Sequence, residues 1–344
     1  MKRITDIIIL TTVLVLTGCK GVSPLEPEIG ASESRPIEFG ISSDLTVGSK
    51  ATIDNTNYTA NGFSALGVLT VNDADAGRQV FAPNTVVTYN TTSNNWIYSP
   101  LRYWQPGSYI FAGVMPESGY TATLDADNRL TLAFADGGFD LAATQKDLMV
   151  AFDTETVSST STAGPVEFCF AHQMALVTIE GASKEANTDK IRIDQIKVYG
   201  NNTSTKGNMV FSSDGTYSYT LTGGTSAIQP YKTYSHPTGT GIDASYDWQL
   251  VRQPVSGNPV YDILVPDLLV FPEECSFTIE VTYTDFYNGN EITVTKKGKK
   301  NVNWGAGKKY TYSFIVSLDD IEFTEPTVEP WPGTSQKLDN DIEM

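Results

Sequence analysis

Apolar and polar residues alternate one for one in segment after segment of this chain, and stretches with a 3.6-residue period are missing. Leu130, Leu132 and Phe134 alternate with Thr131 and Ala133. Phe277, Ile279, Val281 and Tyr283 alternate with Thr278, Glu280 and Thr282. Tyr217, Tyr219 and Leu221 follow the same rule, as do Tyr310, Tyr312, Phe314 and Val316. A period of two puts every second side chain on one face, which is the requirement of a half-buried antiparallel strand. The pattern predicts an all-β protein built of β-sandwiches, because such faces are buried against one another.

The turns agree. Asp125-Ala126-Asp127-Asn128 separates Leu124 from Leu130, and Ser213-Asp214-Gly215 separates Phe211 from Tyr217. Asp-Gly is a strong hairpin signal because it tolerates the left-handed backbone of tight turns. In Ile191–Val198 the apolar phase slips between Ile193 and Ile196, and a bulge at Asp194/Gln195 restores it.

Length now matters. At roughly 150 residues per domain, 344 residues suggest two. The Ser/Thr-rich segment Thr154–Gly164 is the clearest seam, so one sandwich is expected over 36–160 and a second over 165–333. Residues 334–344 read as a polar tail.

The first residues carry an address. Lys2 and Arg3 precede an apolar run from Ile7 to Leu16, too short to span a bilayer as a helix. Leu16-Thr17-Gly18-Cys19 then resembles a bacterial lipobox, in which small residues admit the signal peptidase and the cysteine thiol accepts a diacylglycerol. The expected order is a signal peptide over 1–18, lipidation at Cys19 and a Pro/Gly-containing tether over 19–35. Two or more acyl chains anchor a protein stably. The chain is therefore expected at the cell surface, tethered to the outer membrane.

Charge excludes one class of partner. With 23 Lys+Arg against 40 Asp+Glu, the net charge is −17. Nucleic acid is not expected as a partner, because phosphate binding needs a basic face. Three Cys and two His make a zinc centre improbable, and no cofactor is expected. No Walker, GxSxG or HExxH motif is present, so the chain is not expected to be an enzyme.

Several residues need a reading of their own. Cys169 and His172 form a C-x-x-H whose odd spacing points the side chains to opposite strand faces. Cys169 and Cys275 are available for a disulfide after export, but the sequence does not bring them together. His236 lies in a Tyr/Ser/Gly loop. Asn72–Gly77 and Asp125–Asn128 resemble calcium loops but lack the full oxygen set, and turn chemistry explains them better. Lys296-Lys297-Gly298-Lys299-Lys300 is a basic island that either protects a strand edge or meets an acidic partner. Trp96, Tyr98, Tyr103 and Trp104 are either core aromatics or a surface on which sugars stack.

Several segments, taken in order, resemble the fimbrillin-like surface proteins of gut and oral anaerobes. They are Arg35–Gly40, Asn95–Pro100, Tyr103–Pro106, Tyr109–Pro116, Gln145–Ala151, Val166–Ala175, Trp304–Tyr312 and Ile321–Trp331. Gly113-Val114-Met115 departs from the family's aromatic at that place.

The resemblance implies two tandem transthyretin-like antiparallel sandwiches, exported as a lipoprotein. It implies a pilus subunit that assembles by donor-strand exchange and contributes to adhesion, or else a non-polymerising lipoprotein adhesin that binds glycan. Partners would be neighbouring subunits, and host proteins or glycans. In polymerising members an Arg-specific protease removes the first strand, and the next subunit's C-terminal strand fills the groove. The cleavage candidates are Arg35, which Pro36 follows, and Arg78, in an expected loop. The donor would lie over 321–331, with Ile321, Phe323, Val328 and Trp331 as the groove-filling residues.

Overall fold

The computed structural model describes residues 35–41, 58–71, 77–81, 85–140, 146–158, 164–183, 191–200, 204–223, 229–235, 261–285, 291–316 and 321–331. The protein is all-β. Among these residues the helical element is one 3-10 turn, Tyr58–Ala60.

The largest sheet runs in the order Ala171–His172, Met149–Val157, Gly107–Met115, Phe63–Thr70, Thr85–Asn90, Asn95–Ile97, with Arg78–Gln79 added beside Phe63–Thr70. Its middle strand, Phe63–Thr70, is buried along nearly its whole length. The pleat explains how. Phe63, Ala65 and Leu69 enter one hydrophobic cluster, whereas Leu66 and Val68 enter another. Both faces are therefore covered, and alternate residues serve different cores.

On the first face lies a short parallel pair, Phe39–Ile41 with Val166–Phe168. On the second lies a four-stranded sheet, in the order Tyr217–Gly223, Ser204–Ser212, Arg129–Asp140, Thr121–Leu124. Its buried residues Leu130, Leu132 and Met209 belong to the same cluster as Leu66 and Val68. That cluster continues into two more sheets. One is Asp262–Val270, Ala175–Ser183, Lys308–Val316, with Ile321–Phe323 and Thr327–Pro330 on its far edge. The other is Gln229–Ser235, Ile191–Gly200, Glu274–Asp285, Ile292–Asn303.

Pairing does not stop at residue 160. Val166–Phe168 joins the opening strand, Ala171–His172 joins Met149–Val157, and Ser204–Ser212 joins Arg129–Asp140. A polar connection records only that its backbone meets water; it does not record which sheet the next strand enters.

Phe277, Ile279, Val281 and Tyr283 are all buried, as are Tyr310, Tyr312, Phe314 and Val316. The bulge falls where the phase slips: Ile193 faces Tyr283, Gln195 faces Thr282, and the register shifts between them. That shift lets Ile191, Ile193, Ile196 and Val198 all reach the core. The Asp214-Gly215 turn is a hairpin, with Gly215 at φ +85. Tyr217 departs from its assigned apolar face: it is 46% exposed at the mouth of a cleft.

The lysine island lies on the edge strand Ile292–Asn303. Lys297 and Lys197 both reach the carboxylate of Glu280, at 2.6 and 3.0 Å, and Lys300 meets Glu325 at 2.5 Å. The hydrogen bond from Lys297, reinforced by Lys197, holds the Glu280 carboxyl below the usual glutamate range. The folded state thus favours the ionised form. Its stabilisation is present at neutral pH and fades as pH falls through about 4.3, the ordinary glutamate value, to the lower folded value. Glu280→Gln removes this contribution. The variant is expected to lose less stability between about pH 5 and pH 3 than the parent, as followed by denaturant unfolding at each pH.

Candidate functional site

The candidate site is the pair of segments Arg35–Ile41 and Ile321–Trp331, which pack onto the two cores. The opening segment begins at Arg35. Its main chain is pinned at four points: Trp104 N–H donates to Arg35 O at 3.0 Å, Ile37 N–H to Arg102 O at 2.8 Å, Val166 N–H to Glu38 O at 2.8 Å, and the Tyr98 hydroxyl to Ile37 O at 2.7 Å. Alternation then drives Ile37 and Phe39 inward, to 1% and 6% exposure. The Phe39 ring lies 5.5–5.6 Å from the rings of Phe63, Phe81, Tyr98 and Phe168. The segment is thus a hydrophobic plug held by a short parallel ladder.

The two candidate cleavage residues sit differently from each other. Arg35 is exposed at the start of the plug, with Glu38 3.6 Å away and Pro36 bridged to Tyr103. Arg78 lies within a short strand rather than the expected loop, opposite Leu69. Its neighbour Gln79 donates from Nε2 to Leu124 O at 2.9 Å, and Val80 and Phe81 beyond it are buried. Phe81 explains the difference. Burying its ring draws Arg78–Gln79 against the sheet.

The closing segment runs along the strand Lys308–Val316. Val316 faces Ile321, Phe314 faces Phe323, Tyr310 faces Val328 and Lys308 faces Pro330. Ile321 is buried, and the Phe323 ring lies against Phe314 at 5.8 Å and over Gly298, where a Cβ would collide with it. Thr327–Pro330 is exposed at every position, with Val328 at 52%. Trp331 is buried to 1%, and its N–H donates to Gly307 O at 2.8 Å.

Trp331 reaches across to the other terminal system. Its ring stacks flat on the imidazole of His172, with centroids 4.2 Å apart and planes within 3°. His172 Nδ1 in turn lies 2.8 Å from Asp147 Oδ2, both side chains being buried. His172 follows closely on the strand that pairs with the plug. The opening and closing segments are therefore anchored on the same short stretch, Val166–His172. Asp147 escaped sequence reading because nothing local links it to a residue 25 positions away.

The remaining candidates are placed as follows. Cys19, His236 and residues 72–76 lie outside the described residues. Cys169 is exposed, Cys275 is buried, and they are not bonded to each other. Cys169 is exposed and His172 buried; the strand breaks between Phe168 and Ala171, so the one-strand spacing rule does not apply, and both residues line one cleft. Asp125 accepts from the N–H groups of Asp127 and Arg129 at 3.0 and 2.9 Å, which is turn chemistry. Trp96 and Trp104 are 8% and 9% exposed, so neither offers a face for a sugar; Tyr98 is half-buried and Tyr103 is exposed. Among the described residues no helix is long and apolar enough to cross a membrane.

A family model described as fimbrillin-like matches residues 49–331. A search of curated proteins finds no match. Solved structures with a similar course include a candidate cell adhesion protein from Bacteroides uniformis, 16% identical, covering 89% of this chain and 100% of that one, with a TM-score of 0.46. One from Bacteroides ovatus is also 16% identical, covering 88% and 99%, with a TM-score of 0.45. The fimbrial anchor protein Mfa2 from Porphyromonas gingivalis is 9% identical, covering 87% and 98%, with a TM-score of 0.35. With the family model matching residues 49–331, most of its length, the chain belongs to the fimbrillin-like family.

Proposed function

We propose that this chain is a fimbrial subunit displayed at the cell surface, lipid-tethered to the outer membrane through Cys19, and joined to neighbouring subunits by strand addition. The observation that carries this reading is the plug. Ile37, Phe39 and Ile41 alternate along a segment with three paired residues, yet Phe39 supplies a ring at the centre of an aromatic cluster. The closing segment carries the same alternation in Ile321 and Phe323. A neighbour's closing segment can therefore replace the plug, with main-chain hydrogen bonds giving strength and alternate side chains giving specificity.

A second reading is favoured by the position of Arg35. Cleavage after Arg35 leaves Ile37 and Phe39 attached and in place. Cleavage after Arg78 removes the plug but also takes Phe63–Thr70, the middle strand of the largest sheet. A chain cut at neither position is complete in itself and serves as an anchor, tip or adhesin rather than a shaft unit.

The native N-terminus separates the two. Mass spectrometry of protein taken from its own cell surface is expected to find an end after Arg78, which frees the plug, together with an SDS-resistant ladder in unheated samples; an end after Arg35 keeps the plug and sides with the second reading. A lipidated Cys19 as the sole end, with monomer alone on the gel, sinks shaft assembly and leaves the self-complete adhesin.

A further inference from the structure

We propose that the cleft between the strand Met149–Val157, the Ser212–Tyr217 turn and the Gly305–Lys308 loop binds a carboxylate-bearing sugar, a uronic or sialic acid unit of a glycan. The inference rests on the proposed display at the cell surface and not on strand addition.

The cleft has a volume of about 390 Å³, within the range of small-molecule sites. Val150, Phe211 and His172 are buried members of its lining. Tyr217 stands at its edge with 46% of its surface exposed. An exposed aromatic face is partly negative, and the C–H bonds of a sugar ring are partly positive, so the two stack. Ser213 and Thr216 line the same cleft, and their hydroxyl oxygens can accept from sugar hydroxyls.

Charge narrows the ligand. The chain holds 40 Asp+Glu, yet none of the residues lining the cleft is acidic, and Lys308 lines it with an exposed side chain. The lysine stem passes close to Gly305, where an added Cβ would approach its Cδ at 3.2 Å, and its backbone is set by the strand pairing of Lys308 with Pro330. Asp214, the acid in the adjoining turn, is directed at Thr216, accepting from its N–H at 2.9 Å and its hydroxyl at 2.7 Å. A ligand with one carboxylate and a ring of C–H and hydroxyl groups matches this lining, and a cationic one does not.

The test uses the full chain in detergent micelles, titrated calorimetrically with galacturonic acid oligosaccharides, sialyl oligosaccharides and the methyl esters of both. Saturable binding of one acid is expected, with the ester about tenfold weaker, as loss of a charge-assisted hydrogen bond implies. Preference for galacturonate assigns a plant source, and preference for sialate a host one. Lys308→Gln and Tyr217→Ala are each expected to weaken binding about tenfold, while Lys299→Gln, outside the cleft, leaves it unchanged. No saturable binding of either acid, equal binding of the esters, indifference to both cleft variants, or binding of an acidic peptide instead overturns the proposal. The same samples run unheated on SDS gels keep the two ideas apart. A ladder without sugar binding sinks the cleft alone, and sugar binding without a ladder sinks strand addition alone.

Discussion

Phe39→Ala is expected to destabilise the protein by about 3–5 kcal/mol, the usual cost of deleting a buried phenylalanine ring. The ring is 6% exposed and touches four other aromatic rings, each 5.5–5.6 Å away. Those rings come from the largest sheet, from the segment after Arg78, from Tyr98 just beyond Asn95–Ile97 and from Val166–Phe168. They cannot all collapse onto one vacancy, so the cavity term is expected to be large. Denaturant unfolding measures the total. Hydrogen exchange then locates it: the Val166 N–H, bonded to Glu38 O at 2.8 Å, should exchange much faster. Arg35→Gln serves as the control, because its ion pair with Glu38 is exposed and worth at most about 1 kcal/mol. A loss below about 1 kcal/mol for Phe39→Ala would mean that the cluster is complete without the plug. A shared groove for a neighbour's strand would then have no energetic basis.

Trp331→Ala is the second large effect, again about 3–5 kcal/mol in local stability. Here the readout is the exchange of residues 321–331, because fraying of the segment limits what global unfolding can lose. The indole is buried at 1% exposure, stacked on His172, with its main-chain N–H on Gly307 O. Removing it leaves the buried His172–Asp147 pair facing a cavity. Between Phe323 and Trp331 the side chains of Thr327–Pro330 are all exposed, so nothing else in that stretch replaces the anchor. Val328→Ala should therefore change exchange by less than about 0.5 kcal/mol. Equal effects of the two substitutions would show that the segment is held by its ladder to Lys308–Val316 and not by the tryptophan.

This contrast bears on the donor expectation. Ile321, Phe323, Val328 and Trp331 look alike in sequence, as apolar residues in a terminal strand. In the fold Ile321 and Trp331 are buried, Phe323 is half-buried and Val328 is exposed. Under the proposed strand addition, a segment anchored at its ends and exposed in its middle would be met by a neighbour first at Val328. The arrangement also brings the two segments to one short stretch of chain. His172, which receives Trp331, lies four residues from Phe168, which stacks on Phe39 with centroids 5.6 Å apart.

What the sequence by itself determined is the short-range part. The strand faces apart from that of Tyr217, the Asp-Gly hairpin and the bulge at Asp194 follow from a two-residue period and local backbone preference. Such preferences act between residues a few positions apart, so they are written where they act. Only the tertiary structure decided which polar connections separate sheets and which join them, that Arg78 is paired rather than looped, and that Trp96 and Trp104 face a core. It alone brought Asp147 to His172, His172 to Trp331, and Tyr217 to the cleft that Lys308 lines. Each of those outcomes depends on which apolar face covers which, and burial is a non-directional force that rewards area wherever in the chain it comes from.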